Sequence, residues 1–431
     1  MSVISNFKLP GMLVKDHRFE LPLDYANQQS QALSIFAREV VSIDKVDQKL
    51  PWLIFFQGGP GSGSPRPEPT IEWIKRAIEE YRVLLLDQRG TASSTPVTHQ
   101  TLTKFDSPQA QADYLKHFRA DNIIRDAEAI RHQLLGKDEK WTALGQSYGG
   151  FCITRYLSAA PEGLEGAIIT AGLPPLERSA DEVYRATYQR VIEKNQLYYE
   201  RYPEDEKKLW EIAEFLLAKP VELPGGGLLT ARRFQQLGFL FGMSDGFELF
   251  HYLMDHPFVE TSSGKTLSYQ FLREVENIQH FETHPIFAIL HESIYAQQAA
   301  TKWSAERVRS EFSMFEIKQG EPIFFTGEMI YPWMFDDYEH LRPLKEAANI
   351  LADDEDWPRL YDVDVLANNE VPCVASVYAN DMYVERHFSE ETSKQIKGTK
   401  IWMTSEYEHN GLRADGYRLL GRLFDMLHSR I

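Results

Sequence analysis

Residues 145–150 read Gly-Gln-Ser-Tyr-Gly-Gly and follow directly on the apolar run Trp141–Leu144. A serine hydroxyl is a poor nucleophile at neutral pH. It becomes reactive when a sharp strand-to-helix turn exposes it to a histidine base and to backbone N–H donors. The turn needs residues without side-chain bulk around the serine, and Gly145, Gly149 and Gly150 supply them. The preceding run suits a short buried strand, and Phe151–Ala160 reads as a helix that stops before Pro161. Ser147 is therefore the candidate nucleophile. A glycine-rich structural turn carrying an ordinary serine is the plainer alternative, and the remaining chemistry-bearing residues weigh against it.

A base and an orienting acid must reach this serine, and strand C-termini are where sheet proteins deliver such groups. Asp381 directly follows the apolar segment Val371–Ala379. His409, in Ser-Glu-Tyr-Glu-His-Asn-Gly, follows the strand candidate Thr399–Thr404. The chain order serine, acid, histidine is that of the α/β-hydrolases. His387 and His428 lie in helical stretches, and Asp362 and Asp364 precede the apolar segment instead of following it. The oxyanion of acyl transfer needs N–H donors. One is expected from the backbone of Tyr148. The other is expected from Gly58 or Gly59, in the loop Gln57-Gly-Gly-Pro-Gly-Ser-Gly after the strand candidate Trp52–Phe56. A phosphate-binding loop is excluded there, because no Lys-Ser/Thr follows at the required offset.

The elements that must position these groups alternate. Phe7–Val14, Arg18–Leu23 and Leu33–Val41 have strand character, and Trp52–Phe56 and Val83–Leu86 read as buried parallel strands. Helices are predicted over Ile71–Tyr81 and Ile123–Leu135, and a further strand over Gly166–Thr170. This is an α/β pattern with a mostly parallel sheet. From about 177 to 357 the texture becomes helical, with helices predicted over Ser179–Arg201, Glu206–Ala218, Ala231–Leu240 and Ser304–Phe312. The expected organisation is a core in two parts, 1–176 and 358–431, interrupted by a mostly helical cap over 177–357. A C-terminal helix is predicted over Asp415–Ile431.

Composition bounds the function classes. The 431 residues carry 46 basic and 63 acidic side chains, a net charge of −17, which argues against nucleic acid and anionic membrane as partners. Two cysteines, Cys152 and Cys373, make neither a disulfide framework nor a zinc cluster. There is no secretory signal at the N-terminus and no apolar stretch of spanning length, so the expectation is a cytoplasmic protein.

Several separated blocks together resemble the proline iminopeptidases (prolyl aminopeptidases), serine peptidases of the α/β-hydrolase fold. They are Gln57-Gly-Gly-Pro-Gly, Asp87-Gln-Arg-Gly-Thr, Gly145-Gln-Ser-Tyr-Gly-Gly, Tyr378-Ala-Asn-Asp-Met-Tyr-Val and Glu406-Tyr-Glu-His-Asn-Gly-Leu-Arg. In the longer members the cap carries blocks similar to His291-Glu-Ser-Ile-Tyr and Gly327-Glu-Met-Ile-Tyr-Pro-Trp-Met-Phe. Gln57 departs from the family's usual His, and Ala92-Ser93 from its usual Gly-Arg or Gly-x. The resemblance implies an exopeptidase that releases proline from peptides with a free N-terminal proline, using Ser147, Asp381 and His409 and neither metal nor organic cofactor. It implies that Glu292 and Glu328 bind the substrate ammonium, with Tyr331, Trp333 and Phe335 walling an apolar slot for the pyrrolidine ring. An esterase or amidase on the same scaffold is the alternative, since fold does not fix substrate.

Overall fold

Alternate residues of the short central strands enter two different apolar cores. Leu53 and Phe55 join Val83, Leu85 and Leu144 on one face, and Ile54 and Phe56 join Leu84, Leu86 and Ala143 on the other. A strand buried on both faces has no polar side to show, which is why these segments are continuously apolar. The structure, a computed structural model, describes every residue of the chain except Gln28.

Thirteen strands are present among the described residues. Nine form the central sheet: β1 (Ser2–Leu9), β2 (Met12–Pro22), β3 (Ala32–Ser42), β4 (Trp52–Phe56), β5 (Arg82–Leu86), β6 (Trp141–Gln146), β7 (Leu164–Thr170), β12 (Cys373–Tyr378) and β13 (Thr399–Thr404). Their spatial order is β1-β2-β3-β5-β4-β6-β7-β12-β13. β1, β2, β3 and β5 pair antiparallel, and all pairs from β5 to β13 are parallel. The chain thus has the α/β-hydrolase fold, with a mostly parallel sheet. Helices Glu72–Ala77 and Gly416–Leu427 cover one face, and Ala120–Leu134 and Tyr148–Ala159 the other.

The segment expected to run as one strand over Phe7–Val14 is instead two. Pro10 and Gly11 (φ 76°) turn the chain between β1 and β2, and the apolar run continues on both sides of that hairpin. Between β7 and β12 the chain is largely helical, with two small hairpins: β8 (Val221–Glu222) with β9 (Leu228–Leu229), and β10 (Phe258–Thr261) with β11 (Gly264–Leu267). Neither hairpin joins the central sheet. The 22-residue helix Ala180–Arg201 opens this segment with a capping box, Ser179 to the Glu182 N–H and Glu182 back to the Ser179 N–H. The helix predicted over Ala231–Leu240 is α-helical only to Gln235 and continues as a 3-10 helix, Gln236–Gly242.

The Asp87-Gln-Arg-Gly block braces the sheet. Asp87 accepts both Arg66 Nη atoms (3.1 and 3.0 Å) and the N–H of Ser64 (3.0 Å) and Ser93 (3.1 Å). Buried Arg89 pairs in a fork with buried Asp126 (2.6 and 2.8 Å) and donates to the carbonyls of Pro22, Leu23 and His117. Gln88 Nε2 donates to the Gln57 carbonyl (3.0 Å), fixing the glycine loop that follows β4.

Candidate active site

Ser147 stands at the junction of β6 and the helix Tyr148–Ala159, with φ 56° and ψ −125°. This left-handed backbone is costly for a residue with a Cβ and persists only where the surroundings impose it. The Ser147 N–H donates to the Thr170 carbonyl (2.9 Å), and its own carbonyl accepts the Gly150 N–H (2.7 Å). The turn is too tight for side chains on either flank. A Cβ on Gly145 would lie 2.3 Å from the Gly149 carbonyl oxygen, and one on Gly149 would lie 2.0 Å from that of Phe56. As the first helical residue, Tyr148 has an N–H without an intrahelical acceptor, at the positive end of the helix dipole. Gly58 packs against the serine so closely that a Cβ there would be 3.0 Å from Ser147 Cβ.

Asp381 lies just beyond β12. Its Oδ1 accepts the N–H of Tyr383 (2.8 Å) and Val384 (3.1 Å), and its Oδ2 lies 2.8 Å from His409 Nδ1. With Nδ1–H donated to the carboxylate, His409 Nε2 is left as a proton acceptor. Burial works against a charged His409. The Asp381 charge and hydrogen bond, with smaller contributions from Glu328 and Glu408, outweigh it and raise the imidazole above its ordinary value. The His409 N–H donates to the Gly242 carbonyl (3.1 Å), and the Tyr383 ring meets the imidazole edge-on at 4.7 Å.

Ser147 and His409 face one cavity of about 620 Å³, also lined by Gln57, Gly58, Gly59 and Glu328. No hydrogen bond joins Ser147 Oγ to His409 among the described residues. The cavity wall also carries apolar side chains, Ile71 and Trp73 from the elements before β7 and Phe239, Phe281 and Phe287 from the segment between β7 and β12. Sequence reasoning missed these aromatics. Tyr383, two residues past Asp381, carried a signal by position; the phenylalanines carried none.

Two carboxylates line this cavity, Glu72 and Glu328, and of these Glu328 is the one that acts electrostatically on His409. It sits deep in the protein with partial contact to the cavity. Burial, with Asp381 adding and His409 opposing, pushes its carboxyl up to about 8. The other residues expected to bind substrate, Glu292 for the ammonium and Tyr331, Trp333 and Phe335 for the ring, do not line the cavity. Glu292 is turned away: its carboxylate accepts the N–H of Ser304 (3.0 Å) and Ala305 (2.9 Å), holding the start of the helix Ser304–Arg309. Its burial pushes the carboxyl up to about 7 despite those bonds and nearby Arg307. Tyr331 shares a hydroxyl hydrogen bond with Tyr188 (2.9 Å), and Trp333 stacks on Tyr331 at 5.2 Å beneath the Arg232 guanidinium. Phe335 packs on Trp303 in the core. Each of these side chains is held by a partner elsewhere: Tyr331 by Tyr188, Trp333 by Tyr331 and Arg232, Phe335 by Trp303, and Glu292 by the N–H groups of Ser304 and Ala305.

Among the described residues no three His, Cys, Asp or Glu side chains are grouped to hold a metal ion, and no helix is long and apolar enough to cross a membrane.

Comparison with known proteins adds the following. A model of the alpha/beta hydrolase fold matches residues 51–211. A proline iminopeptidase of Aeromonas sobria is 49% identical over 424 residues, 98% of each chain. A proline iminopeptidase of Aspergillus aculeatus is 34% identical over 421 residues, 96% of this chain and 93% of that one. A crystal structure of proline iminopeptidase from Mycobacterium smegmatis superposes with a TM-score of 0.47 at 13% identity, covering 96% of this chain and 98% of that one.

Proposed function

The chain belongs to the proline iminopeptidase family, and from that membership we propose that it is a serine exopeptidase releasing proline from peptides with a free N-terminal proline. The observation that carries the reading is Glu328, a half-buried carboxylate facing the same cavity as Ser147 and His409. An empty site holds that group largely protonated. An arriving secondary ammonium gives it the charge partner that burial otherwise denies it.

Ser147 Oγ attacks the carbonyl carbon of the first residue, and His409 Nε2 takes the hydroxyl proton. Asp381 fixes the tautomer and stabilises the imidazolium. The tetrahedral oxyanion accepts N–H bonds from Tyr148 and from Gly58 or Gly59; one such donor contributes about 3–4 kcal/mol in comparable sites. His409 then protonates the leaving nitrogen, and the C–N bond breaks. Water, activated by His409, hydrolyses the prolyl ester and restores Ser147. Glu328, gripping the amine, sets the register, so that only the bond after the first residue reaches Ser147. Side chains and backbone of this chain carry every step. Two buried free thiols, Cys152 and Cys373, accord with a reducing, cytoplasmic setting.

Turnover of a panel of aminoacyl arylamides, free and N-acetylated, tests the reading. Proline arylamide should be the best substrate, and acetylation should suppress it. Efficient cleavage of the N-blocked compounds would overturn the assignment in favour of an esterase or amidase.

A further inference from the structure

The helix Ala180–Arg201 carries two cations one turn apart, Arg190 and Lys194, and therefore on one face. Each grips a different catalytic loop. Arg190 donates through Nη2 (2.8 Å) and Nε (3.2 Å) to Glu385 Oε1, four residues beyond Asp381. Glu385 is itself buried, and its Oε2 caps the next helix through the N–H of His387 (2.6 Å) and Phe388 (3.3 Å). Lys194 is 5% exposed, and its Nζ lies 2.6 Å from Oε1 of Glu408, the residue before His409. Glu408 Oε2 is buried without a hydrogen-bond partner, so Lys194 is the main support of that carboxylate. The same helix packs against the residue before Glu328 and the residue after Asp381, since a Cβ on Gly327 would meet Val191 Cγ2 at 2.6 Å and Met382 Cε at 2.9 Å.

We infer that Arg190 and Lys194 are positioning residues, which lock the aspartate loop and the histidine loop to one helix face and so hold the Asp381–His409 pair in register with Ser147. The inference rests on the catalytic reading of His409. Buried ion pairs are poor sources of stability but fix geometry, because a displaced partner strands a charge. Two pairs on one rigid helix set the separation of two loops that are 28 residues apart in the chain. The charged groups facing His409 are Asp381 from the loop after β12, Glu328 from the segment between β7 and β12, and Glu408 on its own loop, the last balanced by Lys194.

The test is the kcat, KM and pH profile of the full-length enzyme on proline arylamide, for wild type, Lys194→Met, Lys194→Arg, Arg190→Met, Glu408→Gln and His409→Ala. Lys194→Met and Arg190→Met should each lower kcat about tenfold or more while KM moves less than about threefold, since misplacement by an ångström penalises chemistry above binding. Lys194→Arg should recover most of the rate. Glu408→Gln should move the acid limb of kcat/KM to lower pH, because a negative charge beside the imidazolium is gone. Should Lys194→Met fail to fold, Lys194→Met/Glu408→Gln leaves no stranded charge and should fold with low kcat; wild-type kcat in it overturns the inference. Unchanged kcat and an unchanged acid limb, with His409→Ala inactive, overturn the clamp alone. An active His409→Ala overturns the catalytic reading beneath it.

Discussion

Glu328→Gln should make the empty enzyme more stable and less active, and the two effects should separate with pH. The Glu328 carboxyl rises from its ordinary 4.5 to about 8 because burial disfavours its charge; His409 relieves this in part and Asp381 adds to it. Between those values the native carboxyl is protonated while the unfolded one is ionised. The native state then binds more protons than the unfolded chain. Its stability therefore falls as pH rises from 4.5 to about 8 and levels off above. Glutamine mimics the protonated form and escapes this loss. At about 1.4 kcal/mol per pH unit, the ceiling on its advantage above pH 8 is about 5 kcal/mol. Contact with the cavity leaves part of the carboxylate solvated, so the expected gain is about 2 kcal/mol. Denaturant unfolding of both proteins at pH 5 and pH 9 reads it directly: near equality at the first, the full gap at the second. On proline arylamide, loss of one charge-assisted hydrogen bond should lower kcat/KM by about 10- to 100-fold. A stability difference independent of pH, or undiminished turnover, would refute the role given to this carboxylate.

Other expectations concern the pair and the turn. Asp381→Asn should remove the charge that raises His409, cut kcat by about 10⁴ as in comparable triads, and shift the acid limb to lower pH. Asp362→Asn, which alters only a cap of the helix Val363–Ala367, should leave kcat near wild type, as steady-state kinetics will show. Gly149→Ala should abolish soluble expression or lower the melting temperature strongly, since its Cβ would lie 2.0 Å from the Phe56 carbonyl oxygen.

The sequence made the groups near strand ends legible and left the groups behind them opaque. Ser147, Asp381 and His409 were visible because each follows an apolar run whose length and flanking turn residues announce a buried strand. Glu328 emerged only through family resemblance, and nothing local told it apart from Glu292. What separates them is which side of a helix-rich segment each faces: Glu328 meets the cavity, while Glu292 is occupied by the N–H groups of Ser304 and Ala305. The β1–β2 hairpin was hidden for a simpler reason. Apolar residues flank Pro10-Gly11 on both sides, Phe7 and Leu9 before it and Met12, Leu13 and Val14 after it, and they outweigh the turn residues between them. Arg190 and Lys194 could not have been found, because their partners Glu385 and Glu408 lie some two hundred residues away in the chain.

The central claim is that Ser147 carries the prolyl group. Acid quenching during turnover of a proline ester, followed by mass spectrometry of the peptides, tests it most directly. The account predicts one prolyl residue esterified on the peptide containing Ser147, and neither adduct nor turnover in Ser147→Ala. An adduct on another residue, or a Ser147→Ala enzyme that still releases proline at the wild-type rate, would contradict it.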